Sequence, residues 1–198
     1  MMAVKGFIKN NLLGCLEIAL FMPRGAQRFC ADYRGMLRSF AIPVLVLPLT
    51  LATMIAAHPD PDLTSDSAKI LMVIYSLRTV VYLGLYLSLV YVMAKSMDRL
   101  ESFYRFATAN NWLALPATVL IAPLAFMFMN GAYSWDEVYP MMVFITLYSY
   151  AYTAFMATYV MRIPLEMACF IAIAGMAIHQ TSLGALKWLA VNAIYLIS

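Results

Sequence analysis

Five apolar blocks, each long enough to cross a lipid bilayer, occupy most of the chain from about residue 40 onward. They cover residues 40–57, 70–94, 112–129, 138–161 and 165–183. A transmembrane helix needs about 20 mainly apolar residues, whereas the strands of a membrane barrel alternate apolar and polar residues. Because the blocks are apolar on all faces, we predict an all-α, polytopic membrane helix bundle with five transmembrane helices.

The composition supports a membrane environment. Of the 198 residues, 64% are hydrophobic and only 12% are charged, against about 25% charged residues in ordinary soluble domains. So few charges cannot cover the surface of a soluble domain of this length. We therefore divide the chain into an amphipathic, basic segment (1–39) and a transmembrane bundle (40–198).

The charges in the joints between the blocks are sorted by side. Ten of the 13 lysines and arginines precede the first block or follow the second and fourth blocks. The other joints hold Asp60, Asp62, Asp66, Asp136 and Glu137. Lysine and arginine are retained on the cytoplasmic side during insertion. We therefore predict a multi-pass membrane protein, with its N-terminus in the cytoplasm and its C-terminus outside.

The first 39 residues are predicted to lie at the membrane interface. Apolar side chains recur at helical spacing over residues 3–22, and Pro23 ends that helix. A second helix is expected to follow, with an aromatic face. Its basic residues would bind anionic lipid headgroups on the cytoplasmic side, unless they only fix the topology. This membrane-surface basic face consists of Arg24, Arg28, Arg34 and Arg38.

Two further segments need an interpretation. Residues 95–111 mix charged and aromatic side chains, so we expect them to continue along the membrane surface. The last 34 residues, 165–198, exceed the length of one span. A break near Gln180–Gly184 is therefore expected, followed by either an interfacial helix or a short sixth span, and we favour five spans.

Arg78 is the one basic residue inside a block. Tyr75 and Tyr82 lie three residues before it and four after it, on the same helix face. Charges inside a bilayer are expensive and by default indicate a functional site. A structural role is the alternative: the side chain would reach the outer surface, about 12 Å away, pair with Asp136 or Glu137, or bind carbonyl groups freed by prolines.

His179 is the second polar candidate, in the outer part of the fifth block. A histidine inside a membrane can relay protons or bind a metal, but a metal site needs more ligands. The chain's other histidine is His58, in a joint. A hydrogen-bonded structural role is therefore favoured, although Arg78 and His179 lie at similar depth and can form one polar cluster.

Catalytic and cofactor motifs are missing from the sequence. It contains no His-Glu-x-x-His, no glycine-rich phosphate loop and no Cys-x-x-Cys. The one carboxylate within a block is Glu166, at the start of the fifth, so paired-acid catalysis lacks its usual groups. We expect no enzyme activity, no cofactor, no metal site and no nucleic-acid partner.

The arrangement resembles the Yip-domain family of membrane proteins, in its bacterial branch. The sequence Phe21-Met22-Pro23-Arg24, a helix to Arg38 and then Phe40-Ala41-Ile42-Pro43 resembles that family's entry into its first span. Residues 107–116, running into a proline-bearing third span, resemble its middle. The Asp-Leu-Tyr-Gly-Pro motif of eukaryotic members is missing, so the resemblance implies the fold and a place in the inner membrane of a bacterium, and no vesicle-traffic role.

Two functions follow from these observations. The first is a non-catalytic, Yip-like scaffold or membrane-organising factor that contacts the lipid bilayer and a membrane-protein partner or a second copy of itself. The alternative is a channel or small-solute transporter, or a subunit of one. It would use an outer-half polar cluster around Arg78 and His179, with Tyr75 and Tyr82.

Overall fold

The computed structural model describes residues 2–56 and 65–197 and is all-α over those residues. Joint residues such as His58, Asp60 and Asp62 lie outside the described residues. The helices are α1 (Met2–Ala19), α2 (Tyr33–Ser39), α3 (Ala41–Ala56), α4 (Ser65–Ser96), α5 (Leu100–Trp112), α6 (Ala114–Met129), α7 (Trp135–Met161) and α8 (Leu165–Ile197), with a 3₁₀ helix over Pro23–Arg28.

Five segments are long and apolar enough to cross a membrane. They are Tyr33–Thr53, Met72–Ser96, Leu100–Met129, Trp135–Met161 and Leu165–Leu186. The prediction of a polytopic bundle with five spans is thereby confirmed. The first and third of these segments each combine two helices, α2 with α3 and α5 with α6, joined at a single residue.

A buried hydrogen bond connects the two joins. Asn111 Nδ2, at the end of α5, donates to Ser39 Oγ, at the end of α2, over 2.9 Å. The helix that follows each join carries a proline at its third residue, Pro43 in α3 and Pro116 in α6. Prolines are tolerated there because the first turn of a helix has no internal partners for its N–H groups.

The hydrophobic core lies at the end of the bundle that holds α1, α2 and α5. Helix α5 is its centre, since Phe106, Ala107 and Ala109 are fully buried. Helix α5 also belongs to the candidate span Leu100–Met129, so the expectation that residues 95–111 run along the membrane surface is wrong. Arg99 begins this helix and donates from Nη1 to the carbonyl oxygens of Met161 and Arg162, both at 3.0 Å, at the end of α7.

The expected break near Gln180–Gly184 is also wrong, because α8 continues as one helix to Ile197. Its polar residues bond within the helix instead of interrupting it. Thr181 Oγ1 donates to the Ala177 carbonyl at 2.8 Å, and Ser182 Oγ donates to the His179 carbonyl at 3.1 Å. The structure thus contains no separate sixth span within its described residues.

The segment after Pro23 differs from the single aromatic-faced helix predicted for it. The 3₁₀ helix ends at Arg28, and α2 starts only at Tyr33, where the Asp32 carboxylate accepts a hydrogen bond from Gly35 N at 2.9 Å. Phe29 is consequently buried, whereas Tyr33 is 56% exposed. The two aromatic side chains point in different directions.

Candidate functional site

Arg78 lies in α4 at its contact with α8, where it binds His179. Its Nη2 atom is 2.9 Å from His179 Nδ1 and 3.1 Å from the His179 carbonyl oxygen, and its Nε donates to the same oxygen at 3.3 Å. Since arginine can only donate, Nδ1 must accept here. The imidazole is therefore neutral and carries its proton on Nε2.

Aromatic rings hold the two partners in place. Tyr82 packs edge-on against His179, with ring centroids 5.2 Å apart, and stacks on Tyr86 at 5.6 Å. Helix α8 approaches Tyr86 at Gly175, where an added Cβ would lie 2.9 Å from the ring. Arg78, His179 and Tyr82 thus form one polar cluster between α4 and α8.

Among the residues whose side chains the structure describes, no acid compensates the charge of Arg78. No carboxylate among the described residues forms an ion pair with the Arg78 guanidinium. Arg78 is nevertheless buried, with only 7% of the residue exposed. The predicted alternative partner Glu137 instead accepts hydrogen bonds from Ser134 N and Oγ and caps α7. Asp136 likewise forms no ion pair with Arg78 within the described part of the chain.

The polar cluster borders a cavity of about 330 Å³, which we call the polar cavity. Its walls come from α3, α4, α5, α6 and α7, with His179 from α8, and Tyr75 lines it together with the polar cluster. Along α4 it extends from Tyr75 to Leu83, about 12 Å at 1.5 Å per residue. A hydrocarbon core is about 30 Å thick, so the cavity extends over less than half of that thickness.

Hydroxyl groups supply much of the polarity of this cavity. Thr79 donates to the Tyr75 carbonyl at 3.1 Å, Thr146 to the Met142 carbonyl at 2.7 Å, and Thr153 to the Ser149 carbonyl at 2.7 Å. Each hydroxyl donates its hydrogen bond to a carbonyl of its own helix. Its oxygen can therefore still accept a hydrogen bond. Among the described wall residues, these hydroxyl groups lie around one charged group, the Arg78 guanidinium.

Asn111 contributes an acceptor that sequence reasoning missed. It lines the polar cavity and is 1% exposed, and its Oδ1 accepts no hydrogen bond from the described residues. A buried acceptor without a donor costs about 1–3 kcal/mol, so Asn111 adds a polar group to the cavity wall. The interruption of the helix between α5 and α6 places Asn111 in the wall of the polar cavity. No apolar periodicity in the sequence marks this position.

The predicted basic face divides into two parts. Glu17 of α1 accepts from Arg28 Nε at 2.6 Å and from Arg28 Nη2 at 2.7 Å, and Arg24 Nε lies 3.2 Å from the same carboxylate. Arg34 and Arg38 are exposed. Half of the predicted basic face is thus bound within the protein, because Pro23 folds the 3₁₀ helix back against α1.

We call α1 and the 3₁₀ helix together the N-terminal hairpin, and its packing is tight. An added Cβ at Gly25 would lie 2.9 Å from the Gly14 carbonyl oxygen and 3.0 Å from Ile18 N. The Arg28 hydrogen bonds lower the pKa of the Glu17 carboxyl below its ordinary value of 4.5. Burial raises the pKa of the Cys15 thiol to about 12.

Neither the geometry nor the comparisons indicate a metal or an established family. Among the described residues no group of three or more His, Cys, Asp or Glu side chains can hold a metal ion. Comparison of the chain with protein-family models, with curated proteins and with solved structures gave no match. The assignment of a function therefore depends on the site itself.

Proposed function

We propose that this protein binds a small anionic ligand inside the membrane, in the polar cavity beside Arg78, and acts as a transporter or as the ligand-binding subunit of one. The proposal places it in a bacterial inner membrane with the N-terminal hairpin on the cytoplasmic side. It assigns no catalytic step and no cofactor. Of the two functions that the sequence suggests, the geometry favours the solute-binding one.

The observation that carries the proposal is the charge of Arg78, which has no carboxylate partner among the described side chains and lies beside a partly open cavity. An arginine cannot lose its proton in a protein, and a charged side chain within a membrane span is costly even away from the centre of the bilayer. A carbonyl oxygen and a neutral imidazole solvate the guanidinium but do not neutralise it. An anion in the polar cavity would do so, and the volume of about 330 Å³ suits a small molecule.

The test is the stabilisation of the purified protein in lipid nanodiscs by small anions, with butyrate, sulfate and inorganic phosphate as probes. A ligand that binds the folded state raises the unfolding temperature by mass action. We expect at least one of these anions to stabilise the wild type and to have no effect on Arg78→Gln. Lys95→Gln is the matched control, since it removes an exposed charge from the same helix.

Two results would contradict this proposal. One is that no anion in the panel stabilises the wild type. The other is that Arg78→Gln responds as strongly as Lys95→Gln, which would place the binding elsewhere. For a protein that does bind, uptake of the same anion into proteoliposomes distinguishes transport from binding alone.

A Yip-like membrane scaffold is the second candidate function. It is favoured by an exposed apolar row along α1 and the residue that follows it, formed by Ile8, Leu12, Leu16 and Leu20, which are 43–64% exposed. The row lies on the N-terminal hairpin, in which Gly25 packs closely against Gly14. The hairpin therefore holds the row rigidly for contact with lipid or a partner. Replacing Leu12 and Leu16 by serine should then abolish co-purification of a partner while leaving anion binding unchanged.

A further inference from the structure

A second space lies beside the polar cavity, and it is apolar. This apolar groove has a volume of about 550 Å³ and runs along α3 and α4, with Met36 and Phe103 at its far end. On α4 it extends from Ser76 to Tyr91, about 22 Å at 1.5 Å per residue. That length exceeds half of a hydrocarbon core of about 30 Å, so a single acyl chain fits along it.

The groove and the polar cavity share a wall. Pro43 and Leu47 of α3, together with Thr79 and Leu83 of α4, line both spaces. The seam between α3 and α4 is therefore what separates the charged cluster from the lipid-facing side of the bundle. Arg78 is the residue before Thr79, so its charge lies at the level of this seam.

Helix α3 is the weaker side of the seam. Among its described side chains only Thr53 is buried. Pro48 removes a backbone donor inside the helix, and the hydroxyls of Thr50 and Thr53 bond to the Val46 and Leu49 carbonyls of α3 itself. Few buried contacts hold this helix, so separating it from α4 costs little.

We propose that the ligand is a long-chain carboxylate that enters from the bilayer between α3 and α4, with its acyl chain in the apolar groove and its carboxylate on Arg78. This inference rests on the proposed function and names the chemical class of the anion. The occupant follows from charge complementarity: a single buried cation adjoins an apolar channel with the length of an acyl chain. A soluble anion would use the polar cavity alone and leave the groove to bulk lipid.

Affinity alone does not test whether the ligand occupies the groove. A long acyl chain partitions any carboxylate into the bilayer and so raises its apparent affinity. The test is therefore steric. An added Cβ at Gly84, which lines the groove, meets no atom within 4 Å, so Gly84→Phe fills the groove without disturbing the backbone. Leu85→Phe is the matched control, since Leu85 is 54% exposed on the same helix and does not line the groove.

The full-length protein in nanodiscs is titrated with nitroxide-labelled palmitate and its methyl ester, and the immobilised fraction is measured by electron paramagnetic resonance. We expect palmitate to be immobilised in the wild type and in Leu85→Phe, with about tenfold weaker binding in Gly84→Phe and in Arg78→Gln. The methyl ester lacks the charge and should bind weakly to all variants. Val80→Trp is a second groove-filling variant for use if Gly84→Phe does not fold.

The outcomes separate this inference from the proposed function. If butyrate stabilises the wild type through Arg78 but the groove variants bind palmitate normally, the inference is overturned and the proposed function stands. If the methyl ester binds as well as palmitate, the groove takes neutral lipid and the inference is equally overturned. If Arg78→Gln weakens the binding of neither palmitate nor any small anion, both the inference and the proposed function are overturned.

Discussion

Arg28 and Arg78 show two ways in which this chain places a guanidinium against its folded core. Arg28 binds both carboxylate oxygens of Glu17, at 2.6 and 2.7 Å, within the N-terminal hairpin. Arg78 binds a carbonyl oxygen and an imidazole, beside a cavity of about 330 Å³. The first charge is neutralised by the protein, and the second is available to a ligand.

The comparison shows how an arginine with a structural role differs from an arginine that is a candidate for ligand binding. Both side chains are bonded, so hydrogen bonds alone do not separate them. The separating features are the presence of a counter-charge and the adjoining space. Four experiments sharpen or break the comparison, and they follow in order of expected effect.

The largest effect is expected from Gly25→Ala. The new Cβ would lie 2.8 Å from Glu17 Cβ and 2.9 Å from the Gly14 carbonyl oxygen, and overpacking of this kind costs about 1–3 kcal/mol. The N-terminal hairpin should loosen, and alkylation of Cys15 in a background with Cys30→Ser and Cys169→Ala should accelerate. Gly6→Ala is the control, because no atom lies within 4 Å of a Cβ there.

Glu17→Gln should open the same hairpin to a smaller extent. It removes the counter-charge of Arg28 and leaves that guanidinium without its ion pair, and breaking such a pair costs more than the pair contributes. We expect Cys15, which is 2% exposed in the wild type, to react several-fold faster. Glu101→Gln serves as control, since Glu101 is exposed at the start of α5; equal rates in the two variants would contradict a structural role for the pair.

The pH dependence of the hairpin should follow from the same pair. The pKa of Glu17 is lowered in the folded state, chiefly by the Arg28 hydrogen bonds. The stabilisation is therefore complete above pH 4.5 and is lost as the pH falls through the lowered pKa. Trp112, whose ring lies 6.0 Å from that of Phe7 on α1, reports on this change by fluorescence once Trp135 and Trp188 are replaced by phenylalanine. A constant spectrum down to pH 3 would argue against it.

Most of the fold could be predicted from the apolar blocks and from the distribution of charges between them. The five spans follow from block length alone, because a bilayer demands about 20 apolar residues per crossing. The placement of α5 did not follow, since Phe103 and Phe106 beside charged residues suit an interface as well as a core. The continuity of α8 was missed because Gln180–Gly184 is polar but lacks a proline, and its hydroxyls bond within the helix.

The site was predictable only in part. The positions of Arg78, Tyr75 and Tyr82 on one face follow from helical spacing, and the depth of His179 follows from the span. The neighbour of each helix does not follow, so the choice of His179 over Glu137 as the partner of Arg78 required the packing of α4 on α8. The role of Glu17 was missed because its partner Arg28 lies 11 residues away, across a reversal of the chain.

The smallest effect is expected from Arg78→Leu on stability without ligand. The variant loses hydrogen bonds to His179 but no longer buries a charge that lacks an acidic partner, and replacing buried ionic groups by apolar ones is often neutral or stabilising. We expect the free energy of unfolding to stay within about 1 kcal/mol of the wild type, measured by thermal unfolding in nanodiscs. Glu17→Gln, measured alongside, should be less stable than Arg78→Leu. If Arg78→Leu is instead the less stable of the two, Arg78 mainly holds α4 to α8, and its bonds to His179, not a ligand, account for its place in the membrane.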